Sequence, residues 1–248
     1  MHWFENDEFW RAFYPWMFHD RRFQSAPEEV EQLLALSGTT QGSALDLCCG
    51  PARHSIPLAQ RGFHVTAVDR SPFLLNKARE RAAEAGAAIE FVQDDAREFV
   101  RAATFDLAIN LFTSFGYFSR EEDLTVLKNV RTSLKKGGVF ILELVGRKCV
   151  SSSAAFNAYW NAHWEESADG EIFIDRTQVL PGWTRLRPQW LLVKSSQARR
   201  FDFELNLYSG QELAGALKQA GFSEIEIFGS LAGTPYDGKA TRLAARAK

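Results

Sequence analysis

Little in this sequence points to the outside of a cell or to a membrane. It has three cysteines, two of them the adjacent Cys48 and Cys49, too few for the disulfide framework of a small secreted domain. Reduced thiols are the expectation. No run approaches the roughly 18 apolar residues that cross a bilayer. The opening Met-His-Trp-Phe-Glu-Asn-Asp-Glu-Phe-Trp carries acids where a signal peptide needs a basic and then an apolar stretch. A soluble, cytoplasmic chain without membrane contact is expected. An excess of charge is missing as well: 29 Lys and Arg against 31 Asp and Glu leave a net charge of -2, and so no overall positive field to hold nucleic acid. His2, His19, His64 and His163 have neither the spacing nor the companions of a metal site, and no metal is expected. What the chain does have is apolar residues, 46% of the total, with 20 Phe, 7 Trp and 5 Tyr among them. That suits one large globular domain, or a core with an elaboration, and excludes disordered and collagen-like chains.

From Ser43 to Gly146 short apolar runs alternate with helical patterns, as in a doubly wound α/β sheet with crossover helices. The strand candidates are Ser-Ala-Leu-Asp-Leu-Cys, His-Val-Thr-Ala-Val-Asp, Ile-Glu-Phe-Val-Gln, Phe-Asp-Leu-Ala-Ile-Asn and Val-Phe-Ile-Leu-Glu-Leu-Val. Ser71 followed by Pro72 reads as a helix cap with proline in the first turn. Ser119 with Glu122, and Ser209 with Glu212, read as capping boxes. The helices they open are expected to stop at Gly137-Gly138 and at Gly221. Glu-Ile-Glu-Ile-Phe from Glu224 and the run from Thr241 give a closing strand pair. Between Arg147 and Tyr208 the period changes to two, as in an inserted antiparallel meander. Residues 1–42 form an N-terminal helical arm, where Phe9, Trp10, Phe13, Trp16 and Met17 recur at helical spacing and Pro15 is expected to kink the helix. The expected division is thus 1–42 for the arm, 43–146 with 209–248 for the core, and 147–208 for an antiparallel cap. All seven tryptophans, at 3, 10, 16, 160, 164, 183 and 190, lie in the arm and the insert.

The first core strand ends in Asp46-Leu-Cys-Cys-Gly50-Pro-Ala-Arg53-His54-Ser55, where a tight turn and a helix start offer backbone N–H groups to a polar ligand. The second ends at Asp69, nineteen residues after Gly50, placed to accept the two hydroxyl protons of a ribose. Asp94 and Asp95 close the third strand, and Asn110 leads into the aromatic loop Leu-Phe-Thr-Ser-Phe-Gly-Tyr-Phe.

These residues, with Lys136-Gly-Gly before the fifth strand, resemble the class I S-adenosylmethionine-dependent methyltransferases over 43–146 and 209–247. The strings Cys-Cys-Gly-Pro-Ala-Arg-His-Ser, Asn-Leu-Phe-Thr-Ser-Phe-Gly-Tyr-Phe and Leu-Tyr-Ser-Gly-Gln-Glu-Leu are similar to a bacterial small-molecule group among them. The resemblance implies a Rossmann-like methyltransferase fold, with a seven-stranded mixed sheet whose last strand is antiparallel, and S-adenosyl-L-methionine as cofactor. It implies Asp46 and Gly50 beside the methionine moiety, Asp69 on the ribose, Asp95 and Ala96 on adenine, and Asn110, Leu111 and Phe112 at the methionine end. Cys48, Arg70 and Asp94 complete the expected cofactor-binding set. Cys48 and Ala52 depart from the family pattern, which usually has glycines there.

No catalytic residue stands out. Tyr14, Tyr117, Tyr208 and His54 are the positioning candidates; Phe115, Arg176, Arg187 and Trp190 are candidates to meet the substrate, and Arg200 is a further carboxylate clamp in the insert. Each also has a plain reading as a packed ring or a solvated charge. Methyl transfer to nitrogen or oxygen of a small molecule is the expected function, with arm aromatics as a lid and the oligomeric state open. The alternatives are an RNA methyltransferase, which Arg185 and Arg187 keep in view, and a non-catalytic binding module. A nicotinamide dehydrogenase lacks support, because Gly50-Pro-Ala-Arg-His-Ser is not Gly-x-Gly-x-x-Gly.

Overall fold

The computed structural model of the chain describes residues 2–151 and 163–248; Trp160 and the 152–162 stretch of the expected cap lie outside the described residues. In chain order the arm gives α1 (Asp7–Met17) and α2 (Asp20–Ser37). Then come β1 (Ser43–Leu47), α3 (Ser55–Gln60), β2 (His64–Asp69), α4 (Pro72–Glu84), β3 (Ile89–Gln93), β4 (Phe105–Asn110), α5 (Arg120–Ser133) and β5 (Leu134–Leu144), followed at the start of the insert by α6 (Arg147–Ser151). The insert supplies β6 (His163–Glu166), β7 (Ile172–Val179), β8 (Arg185–Lys194), β9 (Gln197–Asp202) and β10 (Leu205–Asn206). The chain ends with α7 (Gly210–Gln219), β11 (Ile225–Phe228) and β12 (Leu243–Ala247).

Seven strands form one sheet in the order β11-β12-β5-β4-β1-β2-β3. β1 runs parallel to both β2 and β4, and β12 is antiparallel to β5 and β11. The order reverses between β1 and β4, which leaves a crevice beyond their carboxyl ends. On one face Val126, Leu127 and Val130 of α5 join Leu213 and Leu217 of α7 in a core with Leu45, Phe105 and Phe140. On the other, Val30 and Leu33 of α2, Leu58 of α3 and Leu75 of α4 cover Ala44, Leu107 and Ile141. The caps behave as read: Ser71 Oγ accepts from the Leu74 N–H, and both capping boxes close at Ser119 and Ser209. No helix among the described residues is long and apolar enough to cross a membrane.

Two expectations about breakers need correction. α5 ends at Ser133, before Gly137-Gly138, because those glycines belong to β5. There the register jumps from Phe105 opposite Leu134 to Leu107 opposite Val139. The bulge needs a left-handed Gly137, at φ 81°, and a Gly138 whose Cβ, if present, would meet the Phe105 carbonyl oxygen at 2.9 Å. Pro15 does not interrupt α1. It sits in the last turn, where its missing N–H removes one bond and Phe18 N–H still closes on the Tyr14 carbonyl at 2.9 Å.

The insert forms a second antiparallel sheet, β10-β8-β7-β6 with β9 on β8. Phe173 opposes Leu192 and Trp190 opposes Phe201, and these residues meet the apolar face of α1. Phe13 lies 4.9 Å from Trp190 and 5.1 Å from Phe201, centroid to centroid, and Phe9 stacks on Trp190 at 5.7 Å. Each buried ring contributes about 2 kcal/mol of apolar burial, with edge-to-face geometry adding about 1 kcal/mol. The arm is therefore held between the second sheet and the core. Phe13→Ala is expected to cost about 3 to 5 kcal/mol of arm docking, read as an early step in urea unfolding followed by circular dichroism. A loss below about 1 kcal/mol would show that the arm does not dock through this ring.

Candidate active site

The turn after β1 alternates left-handed residues: Cys48 at φ 59°, Gly50 at 55° and Ala52 at 62°. The positions that depart from glycine thus keep glycine-like backbone, at a cost on the order of 1 kcal/mol each. Long-range bonds hold the turn. Cys49 N–H donates to the Val68 carbonyl at 3.0 Å, and Gly50 N–H donates to Asp69 Oδ2 at 2.8 Å. The other Asp69 oxygen accepts from Ser71 N–H at 2.9 Å. Burial pushes the Asp69 carboxyl up to about 6, in spite of these donors. Asp46, 3% exposed, accepts from Ser55 Oγ at 2.6 Å; burial raises it to about 7, with the Asp69 charge adding to the effect. Asn110 Nδ2 donates to the Leu47 carbonyl at 3.0 Å, while its Oδ1 is buried without an N–H or O–H donor.

At the end of β3, Asp95 is saturated. Its Oδ1 accepts from the Arg97 backbone N–H and Nε, and its Oδ2 from Arg97 Nη2 and from Arg70. Although burial opposes it, these bonds hold the carboxyl down at about 2. Arg70 also pairs with Glu5 of the arm at 2.9 Å. Past β4, Phe112 and Thr113 are both left-handed, at φ 60° and 62°. Glu143 of β5 fixes them: its Oε2 accepts from Phe112 N–H at 2.9 Å, its carbonyl from Thr113 N–H at 3.2 Å. Arg242 Nε holds the other Glu143 oxygen at 2.7 Å.

These strand ends surround a cavity roofed by Phe4, Trp10, Met17 and Phe18 of the arm. Asp46, Cys48, Gly50, Asp69, Arg70, Asp94, Asp95, Ala96, Leu111 and Phe112 all line it, as do His54 and Tyr117, and Asn110 lies directly beneath. His54 Nε2 bonds Glu29 Oε2 at 2.9 Å, but burial lowers its pKa against that partner, so the ring is neutral near pH 7. Glu29 stays far below the usual carboxylate range, because His54 and Arg53 outweigh its burial. Burial pushes the Tyr117 phenol well above its ordinary value.

Several candidates lie elsewhere. Tyr14 packs outside the roof against Phe73, its hydroxyl accepting from Arg81 at 3.1 Å. Tyr208 is a core ring whose hydroxyl donates to Asp123 Oδ2 at 2.7 Å, and Phe115 packs on it at 5.4 Å. Trp190 is committed to the arm. Arg176 is exposed on the second sheet, Arg187 pairs with Glu204 at 2.6 Å and Arg200 with Asp202 at 2.9 Å. Arg185 shares Glu204, so the basics that suggested RNA are partly neutralised. Residue type alone does not tell which way a ring or a strand charge points. The functional neighbours missed in the sequence are Phe4 and Phe18, Glu29, and the Glu143–Arg242 pair; a glutamate inside the apolar run Val-Phe-Ile-Leu-Glu-Leu was the one visible signal. Among the described residues no group of three His, Cys, Asp or Glu is placed to hold a metal.

Residues 44–138 match the family model for a methyltransferase domain. Over these residues the chain carries a methyltransferase domain. The putative methyltransferase YqeM of Bacillus subtilis is 30% identical to it over 129 residues, 51% of this chain and 52% of that protein, so the chain spans about half the length of this curated relative. A solved S-adenosylmethionine-dependent methyltransferase from Clostridium acetobutylicum superposes with a TM-score of 0.76 at 17% identity, over 98% of both chains. S-adenosylmethionine-bound CalS10, an amino pentose methyltransferase from Micromonospora echinaspora, gives 0.68 at 21% identity over 96% of both. At these identities the likeness is one of fold.

The residues of the crevice fit S-adenosylmethionine. Acids close β1, β2 and β3 around it, and an acceptor oxygen of Asn110 is left without an N–H or O–H donor. The raised carboxyls also make a prediction. Between about pH 4 and pH 7 the folded state keeps a proton on Asp46 that the unfolded chain, with a pKa of about 3.9, has lost. The site is therefore increasingly unfavourable as pH rises through that window. Asp46→Asn cannot ionise, so it is expected to gain stability relative to the parent from pH 4 to pH 8, read from urea midpoints. A pH-independent difference would show that Asp46 titrates normally.

Proposed function

We propose that this chain transfers a methyl group from S-adenosylmethionine to a nitrogen or oxygen of a small molecule, with an amine nitrogen favoured. The observation that carries this reading is the roofed crevice, in which carboxylates at three adjacent strand ends face an aromatic lid contributed by the arm. When bound, S-adenosylmethionine supplies a methyl group on a positively charged sulfur that departs as a neutral thioether. The chain's task is to align two reactants and keep water out. An amine acceptor brings its own lone pair and afterwards gives its proton to water. That suits a crevice where burial lowers the proton affinity of His54 and keeps the Tyr117 phenol protonated.

Roles for the side chains follow from their partners. Asp69 uses one backbone N–H on each oxygen and retains lone pairs for ribose hydroxyls. Asp95 has none to spare, so an adenine amino group reaches it only by displacing a donor. Arg70, 43% exposed on its side chain and already shared with Glu5, is the one free to leave, and Asp94 stands beside it as a second acceptor. Ala96 offers backbone to the ring, and Asn110, Leu111 and Phe112 flank the methionine end with Asp46, Cys48 and Gly50. Phe4, Trp10, Met17 and Phe18 exclude water, and π faces among them tolerate the sulfonium charge. A small acceptor is supported over RNA by the net charge of -2 and by the pairing of Arg185 and Arg187 with Glu204.

Calorimetry tests the assignment. The parent is expected to bind S-adenosylhomocysteine at sub-millimolar concentration. Asp69→Ala is expected to weaken that binding by about 10- to 100-fold, the value of one or two charge-assisted hydrogen bonds. No binding by the parent would end the methyltransferase reading; unchanged affinity in the variant would end the ribose assignment.

A further inference from the structure

Three guanidinium groups converge on the loop that follows β4, and only two of them are answered by carboxylates. Arg22, in the first turn of α2, and Arg53, in the turn after β1, each lie 5.0 Å from the centre of the Phe112 ring. Arg242 reaches the adjacent Thr113 hydroxyl at 3.3 Å. Glu29 is used by Arg53 at 2.8 Å and by His54 at 2.9 Å. Glu143 is used by Arg242 at 2.7 Å and by the Phe112 N–H at 2.9 Å. Arg22 has no carboxylate partner among the described residues. Its backbone carbonyl accepts from Arg53 at 3.2 Å, and its guanidinium faces the Phe112 ring. Burial lowers its pKa, and the like charges of Arg242 and Arg53 add to this, outweighing the attraction of Glu29 and Glu143. A cation crowded by like charge and held in no hydrogen-bonded ion pair is less favourable in the empty protein than in water, and a bound anion offsets that cost.

The location narrows which anion. Phe112 lines the crevice, with Thr113, Glu143 and Arg242 behind it at the ends of β4, β5 and the start of β12. Asp69 and Asp95 stand on the far side, at β2 and β3. Arg22 is not among the lining residues and sits on the outer side of Phe112, exposed enough to meet a ligand arriving from solvent. We propose that Arg22 is a specificity determinant that selects an acceptor bearing a carboxylate, its planar fork engaging both oxygens. The proposal rests on the methyltransferase reading above and adds the acceptor's charge to it. Bidentate guanidinium–carboxylate pairing is favoured by geometry as well as charge, and the flanking Arg53 and Arg242 reinforce the local positive potential without surrendering their own glutamates.

The test uses paired probes that differ in charge and hardly in shape: glycine and glycinamide, benzoate and benzamide, anthranilate and anthranilamide. Each is titrated calorimetrically into the full chain, with and without saturating S-adenosylhomocysteine. At least one acid is expected to bind ten-fold or more tightly than its amide. Arg22→Gln is expected to shrink that preference below about two-fold while leaving S-adenosylhomocysteine affinity unchanged, and Arg22→Lys to retain part of it. Arg22 makes no side-chain hydrogen bond, so these variants are expected to fold. A parent that prefers no acid over its amide overturns the proposal. So does an Arg22→Gln variant that loses S-adenosylhomocysteine affinity instead, which assigns the guanidinium to the cofactor's own carboxylate. If the parent binds no S-adenosylhomocysteine, the methyltransferase reading fails, and the titrations without it still decide the role of Arg22.

Discussion

The Asp69 carboxylate is the constraint on which the crevice depends. A parallel sheet delivers the ends of β1 and β2 side by side, but the turn after β1 leaves its backbone N–H groups pointing away from any strand. Asp69 takes the Gly50 N–H on one oxygen and the Ser71 N–H on the other, and so joins two crossover connections through one buried side chain. An unmade bond to either N–H would cost about 1 to 3 kcal/mol. The tie also holds the left-handed conformations of Cys48 and Ala52, which would otherwise relax toward ordinary backbone. One buried group thus holds two connections, and the raised carboxyl of Asp69 is the electrostatic cost of keeping it there.

The arm completes what the strand ends begin. One face of α1 packs on the second sheet through Phe9 and Phe13, while Trp10 and Met17 reach over the cavity and Trp3 meets both Phe203 of the insert and Tyr117 of the core at 4.5 and 4.7 Å. The roof is consequently not a free flap; it is one layer of a continuous aromatic stack between two sheets. Polar contacts fix its edge, with Asp7 accepting from Ser71 at 2.8 Å and Glu5 on Arg70 at 2.9 Å.

Much of the fold was legible because local chemistry and tertiary structure agree. The strands at 64–69, 89–93 and 105–110 are apolar runs cut by breakers at both ends, and a serine hydroxyl followed three residues later by glutamate announces a helix start wherever it occurs here. The helix before β5 was misread at its end because Gly137-Gly138 serves a bulge, a requirement set by the register against β4 and invisible locally. In the crevice, residues attached to strand ends were legible, since the strand fixes their direction. Tyr14, Tyr208, Phe115 and Trp190 were not, because an aromatic side chain satisfies a core and a pocket equally well. The Glu143–Arg242 pair and the saturation of Asp95 join residues far apart in the chain, so no spacing rule reaches them.

The tryptophan distribution has an optical consequence. Every tryptophan of the sequence lies in the arm or the insert, and Trp10 stands at the roof while the seven-stranded sheet has no indole at all. Intrinsic fluorescence therefore reports on the aromatic layer and is silent on the seven-stranded sheet. A ligand seated under Trp10 is expected to change indole emission with no attached dye, because that ring lines the crevice.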